Sequence, residues 1–196
     1  MNAQTGCTVL ADRWTSVFED NRVIVDVALV IAGAALIVGG SRISFFLPYT
    51  PVPITLQTLA VLLIGVLLGS KRGALAAATY IIGGAAGLPV FTGGGCGLVR
   101  LAGPTGGYLL GFVVAAYITG RLAEYGQDRR VLNAAGAMVA GNFVIYLLGL
   151  PWLALYIGAA PVFKLGLLPF IPGDLLKIGM AAILLPGLWR FNHRDQ

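Results

Sequence analysis

Asp174 and Lys177 are the residues in this sequence best placed to do chemistry. They lie in PGDLLKIGMA, three positions apart, a spacing that sets both on one face of a helix. They also stand at the start of a strongly apolar run, where a charge is costly and by default marks a functional site or pairs with another charge. Two readings are open. In the structural one, Asp174 caps the helix and Lys177 pairs with it or snorkels outward. In the functional one, the pair receives a polar head group. Arg100 favours the second reading, because it is the lone cation of the stretch GLPVFTGGGCGLVRLAGPTGGY, residues 87–108, and can converge on the same place. That stretch holds eight of the chain's 28 glycines. It cannot hold a helix, because each Gly costs about 1 kcal/mol there. Yet Leu88, Val90, Phe91, Leu98, Val99 and Leu101 make it too apolar for a solvent loop. The pattern suggests a loop folded back over a cavity, since irregular backbone at membrane depth survives only under protein cover or beside water; the plainer alternative is a flexible connector between two helices, which is expected to be shorter and more polar.

The elements that must position these residues are membrane spans. The 196 residues are 58% hydrophobic and 11% charged, with a mean hydropathy of +0.87; soluble domains carry roughly 25% charged residues. The net charge of +5 is therefore a topology signal and not a nucleic-acid one. Cys7 and Cys96 lie far apart and His193 stands alone, so no disulfide framework, metal site or cofactor is expected. Residues 1–22 read as a polar tail with an interfacial turn at Trp14, Val17 and Phe18. With Asp12, Glu19 and Asp20 and no apolar core, they do not read as a signal peptide.

Apolar runs predict six spans, at about 23–40, 52–69, 73–88, 106–124, 131–150 and 172–189. Residues 23–189 thus form one all-α integral membrane domain of six helices, followed by a short tail, 190–196. Ser70-Lys71-Arg72 reads as a tight turn, and 151–171 as a long apolar connection. Gln57 sits in the first turns of the second span, as an interhelical hydrogen bonder or a ligand contact. Ala28 and Ala32, four apart on the first span, allow close approach of another helix; Ala is also simply common in membrane helices, so this spacing alone leaves both readings open.

Nine basic residues fall in the N-terminal tail, the 2–3 turn, the 4–5 loop and the C-terminal tail; only Arg42, Arg100 and Lys164 fall on the other side. This bias places both termini in the cytoplasm. Nine of the ten prolines lie in or beside the opposite, outer loops, so the outer face is shaped and is the side expected to hold a site. No pair of carboxylates is available for metal-phosphate or acid/base chemistry, which argues against a membrane enzyme. The spans lack the polar lining of a channel. No GxxxxGK[ST] occurs, so ATP hydrolysis must come from a partner.

PVPITLQTLAVLLIGVLLGSKRG (51–73), YIIGGAAGLPVFTGGGCG (80–97), LAGPTGGYLLGF (101–112) and IPGDLLKIGMA (171–181), in this order and at these separations, resemble BioY. That family is the substrate-binding S component of energy-coupling factor (ECF) biotin transporters, and the similarity covers about residues 23–189. The resemblance implies a compact six-helix fold in a bacterial or archaeal cell membrane, with biotin held near the outer face. It implies docking to a transmembrane coupling protein, the T component, driven by two ABC ATPases. The family's AxxxA signature for that contact matches Ala28–Ala32. In the family the motif-borne Asp and Lys bind biotin, which points to Asp174 and Lys177. On chemical grounds Asp174 can accept from a ureido N–H, Lys177 can donate to the ureido oxygen, and the planar fork of Arg100 suits the carboxylate. Phe91, Tyr108, Tyr146 and Leu88 can supply walls. Thr92 and Gly94–Cys96 fall in a variable part of the loop, so contacts there are not carried over.

Overall fold

The computed structural model describes residues 9–15 and 21–192. Val17 and Phe18 of the expected interfacial turn, and His193 of the tail, lie outside these residues. The described chain is mostly helical: α1 Leu10–Thr15, α2 Arg22–Arg42, α3 Gln57–Leu68, α4 Ser70–Ala85, α5 Leu98–Leu101, α6 Gly106–Glu124, α7 Val131–Ile157, α8 Val162–Gly166 and α9 Ile171–Asn192. Contrary to the expectation of no helix in 87–108, α5 forms one turn there, at Leu98–Leu101, where the stretch carries no glycine. Among the described residues, four helical stretches are long and apolar enough to cross a membrane: Arg22–Arg42, Gly106–Glu124, Val131–Ile157 and Ile171–Trp189. The helix α3 is apolar but shorter.

At the centre stands α6, packed against α3, α4 and α7. Its contact with α3 is unusually close. A side chain at Gly65 would sit 2.5 Å from the Ala116 carbonyl oxygen, so only glycine lets the two backbones meet there. By contrast, α2 fully buries only Gly33, Ala34, Ile37 and Ser41, leans Leu29, Val30 and Val38 against the core and turns Val23, Ile24, Val27, Ile31 and Leu36 outward.

Prolines explain where the helix ends depart from the sequence expectation, in both directions. Helix α3 starts at Gln57 instead of residue 52, because Pro51 and Pro53 lack an N–H and push their predecessors into extended backbone. The freed segment pairs instead as a short antiparallel ladder, β1 Ser44–Phe45 with β2 Ile54–Thr55. At the other extreme, α7 passes through Pro151 and ends at Ile157, seven residues beyond the expected end. Membrane helices tolerate proline where neighbours hold the backbone. Here the Trp152 indole donates to the Gly103 carbonyl at 2.9 Å, and the Tyr156 hydroxyl donates to the Ala102 carbonyl.

The expected turn at residues 70–72 is tighter than it looked. Gly69, with φ +89°, makes the whole reversal, a conformation that costs glycine little. Ser70, Lys71 and Arg72 then form the first turn of α4, and the Ser70 N–H and hydroxyl both donate to Glu124, at 2.8 and 2.7 Å. Nor is the N-terminal segment a free polar tail. Val9, Leu10 and Ala11 are buried, and Asp12 pairs with Arg72 at 2.6 Å. Beyond α6, Asp128 is fully buried and accepts the Trp189 indole N–H at 2.5 Å. Burial pushes its carboxyl above the usual range, against the opposing pull of that hydrogen bond.

Candidate functional site

One end of the bundle encloses a cavity bounded by β2, α3, α4, the 89–105 loop, α6, α7 and α9. Its polar base comes from α9. Asp174 and Lys177 are 6% and 8% exposed, and the Lys177 Nζ donates to Asp174 Oδ1 at 3.2 Å. The same ammonium donates to Thr58 Oγ1 on α3 at 2.9 Å. The Tyr146 hydroxyl, from α7, donates to the other carboxylate oxygen.

These contacts decide between the structural options. Asp174 is not a helix cap: its N–H already bonds the Phe170 carbonyl at 2.9 Å inside the helix, and its carboxylate points at side chains. Lys177 does not snorkel: its head is held inward by Asp174 and Thr58. Each carboxylate oxygen can accept a further hydrogen bond and the ammonium has a third proton, so the cluster retains capacity for a polar ligand group.

Aromatic rings wall the space. Tyr108 and Tyr146 meet edge to face at 6.3 Å, and the Tyr108 hydroxyl is satisfied by the Gly166 carbonyl at 2.9 Å. Across the cavity, Tyr80 and Phe91 meet edge to face at 5.5 Å. Gln57 ties this wall to the loop. Its Nε2 donates to the Tyr80 hydroxyl at 2.5 Å, and its Oε1 accepts from Thr92 at 2.9 Å. Phe112 and Phe170 complete the apolar lining. Arg100 also lines the cavity but is exposed, so it sits toward the opening while the acid–lysine pair sits at depth. Its guanidinium lies against Gly95, where a side chain would come within 2.5 Å of Nε.

The loop over this space is pinned from α2. Ser41 Oγ donates to the Val90 carbonyl at 2.8 Å, and Arg42 Nη2 donates to the Pro89 carbonyl at 2.6 Å. Of the eight residues expected to contact ligand, the structure gathers seven: Gln57, Phe91, Arg100, Tyr108, Tyr146, Asp174 and Lys177. Leu88 is the exception. It is 57% exposed, leans toward Gly83 and does not line the cavity. Sequence reasoning missed Tyr80, Thr58 and Thr92 as part of the cluster. Thr58 had the one readable signal, a hydroxyl next to Gln57 at a span's start. Ala28 and Ala32 lie apart from the cavity, exposed on α2.

The sequence model described as "BioY family" matches residues 11–194. A probable biotin transporter BioY of Pyrococcus horikoshii is 41% identical over 159 residues, 81% of this chain and 93% of the relative. The biotin transporter BioY of Thermotoga maritima is 44% identical over 159 residues, 80% and 92% of the two chains. Among solved structures, the S-component for biotin from an ECF-type ABC transporter superposes with a TM-score of 0.77 at 24% identity, covering 87% of this chain and 93% of that one.

Proposed function

The chain belongs to the BioY family, and from that premise we propose that it is the S component of an ECF-type biotin transporter, the membrane subunit that captures biotin for uptake. It is a transport protein and not an enzyme. The observation that carries the residue-level reading is the buried Asp174–Lys177–Tyr146 cluster at the base of an aromatic cavity. A ureido group offers N–H donors to the carboxylate and a carbonyl oxygen to the ammonium. The bicycle and valeryl chain suit the aromatic walls, and the carboxylate is left near Arg100 at the opening. Gln57, Phe91, Tyr108 and Tyr146 would then contact the ligand directly.

Titration of detergent-purified protein with biotin and a panel of other vitamins tests this reading. Saturable binding of biotin alone is the expected result; preference for another vitamin would reassign the cavity while leaving the family intact.

In the same proposal the fold spans a cytoplasmic membrane six times, with α3 and α4 as the two shorter crossings and both termini inside. Support comes from charge placement: Arg72 and Arg121 sit at the Glu124 end of α6, and Arg100 at its opposite end, about 27 Å away at 1.5 Å per residue. Single cysteines placed near Pro161 should react with an impermeant thiol reagent in intact cells, and cysteines near Gln127 should not. The reverse pattern would invert the topology and move the cavity to the cytoplasmic side. Ala28 and Ala32, exposed on α2, form the face offered to a T component that works with two ABC ATPases.

A further inference from the structure

The end of the bundle away from the cavity carries a second hollow, a groove of about 660 Å³ between α1, α2, α4 and α6. Its wall is apolar and faces outward. Val27, Ile31, Leu75 and Tyr117 line it and are 54%, 58%, 56% and 46% exposed.

Its rim is charged, and the charges are unequally satisfied. Every acid of the rim is already engaged. Arg72 holds Asp12 at 2.6 Å and Asp26 at 2.7 Å. Glu124 accepts from Ser70 and pairs with Arg121 at 2.9 Å. Arg22 and Lys71 also line the groove, are exposed, and form no ion pair among the described residues. An apolar trough thus ends in two cations with no ion-pair partner among the described residues, in a lining whose four cations outnumber its three acids.

That combination selects its occupant. A small anion would gain nothing from the trough, and a zwitterionic lipid would gain little from the cations. A lipid with a net negative headgroup uses both, since basic residues beside membrane helices attract such headgroups. The face offered to a protein partner lies elsewhere. At 3.6 residues per turn, Ala28 and Ala32 point away from the α2 positions that line the groove, Asp26, Val27, Val30 and Ile31.

We propose that this groove is a binding site for an anionic phospholipid, with acyl chains along α2, α4 and α6 and the phosphate between Arg22 and Lys71. The inference holds whichever vitamin occupies the cavity and whichever end faces the cytoplasm.

The test uses delipidated full-length protein in detergent, offered dioleoyl phosphatidylglycerol and dioleoyl phosphatidylcholine in equal amounts, with bound lipid counted by native mass spectrometry. Each cation near an anionic headgroup is worth about a five-fold preference. The expected result is a preference for phosphatidylglycerol of roughly twenty-fold, falling about five-fold in Lys71→Gln and to near parity in Arg22→Gln/Lys71→Gln. Lys71→Arg keeps the preference and decides the matter if the double variant aggregates. Arg130→Gln removes an exposed cation at the same end but outside the groove, and leaves the preference unchanged. Glycerol 3-phosphate, which carries the charge without the chains, does not displace the lipid. The proposal is overturned by equal retention of the two lipids in the unmodified protein, by an undiminished preference in the double variant, by an equal loss in Arg130→Gln, or by displacement with glycerol 3-phosphate.

Discussion

Lys177→Met is expected to lower biotin affinity by at least ten-fold. Lys177 is 8% exposed and its ammonium donates to Asp174 and Thr58, so its loss removes the proposed donor to the ligand and also strands a buried carboxylate. Breaking a buried pair from one side costs about 3–5 kcal/mol, which a protein feels as lost stability as well as lost affinity. Asp174→Asn is the gentler probe. It keeps an acceptor for Tyr146 and exchanges a charge-assisted bond of about 1.5–3 kcal/mol for a neutral one of about 1; the expected loss is roughly ten-fold, at 1.4 kcal/mol per decade. The double variant separates binding from folding. With both charges gone, the stranded-charge penalty disappears, so its thermal midpoint should exceed that of Lys177→Met while biotin binding stays weak. If both residues act on one ligand group, its affinity loss should be smaller than the sum of the single losses. Full affinity in both single variants, in folded protein, would sink the ligand-binding role of the pair and leave it a structural tie between α9 and α3.

Ala28→Leu and Ala32→Leu should separate capture from delivery. Neither residue lines the cavity, so biotin affinity should stay within about two-fold, as for sites without shared partners. Uptake in cells should instead fall by about ten-fold or more, together with co-purification of the coupling protein. If this face is the proposed contact, a leucine on it props the partner away, and a gap of roughly 1 Å forfeits a quarter to a half of the dispersion attraction across the contact. Normal uptake in both variants would return this face to ordinary lipid-facing composition.

The acid–lysine pair was legible because a charge in an apolar run is too costly to persist without a partner or a ligand. Its buried partners were not. Tyr146 meets Asp174 from 28 positions away and Thr58 meets Lys177 from 119, and no local pattern encodes such pairings. Leu88 shows the converse failure. An apolar residue in an irregular loop carries no periodicity to say which way it faces, and it faces out. Docking of α1 was hidden for the same reason as Tyr146, since Asp12 finds Arg72 across 60 residues. Spans were legible as segments but not as helices with ends. Proline sets those ends only through its surroundings: Pro51 and Pro53 delay α3 where backbone can pair as strand, while Pro151 is absorbed by α7 where Trp152 and Tyr156 tether the following turn.

The two hydrogen bonds from Ser41 and Arg42 to the loop over the cavity have a mechanical consequence. Helix α2 is a rod of 21 residues, about 30 Å long, with little of its surface embedded in the bundle. Near one end Asp26 is tied to Arg72; at the other, the rod grips the carbonyls of Pro89 and Val90. Between those ends Gly33, Ala34 and Ile37 seat the rod on its neighbours. The helix that carries Ala28 and Ala32 is thus the same element that holds the 89–90 stretch, about 20 Å away, in place over the cavity.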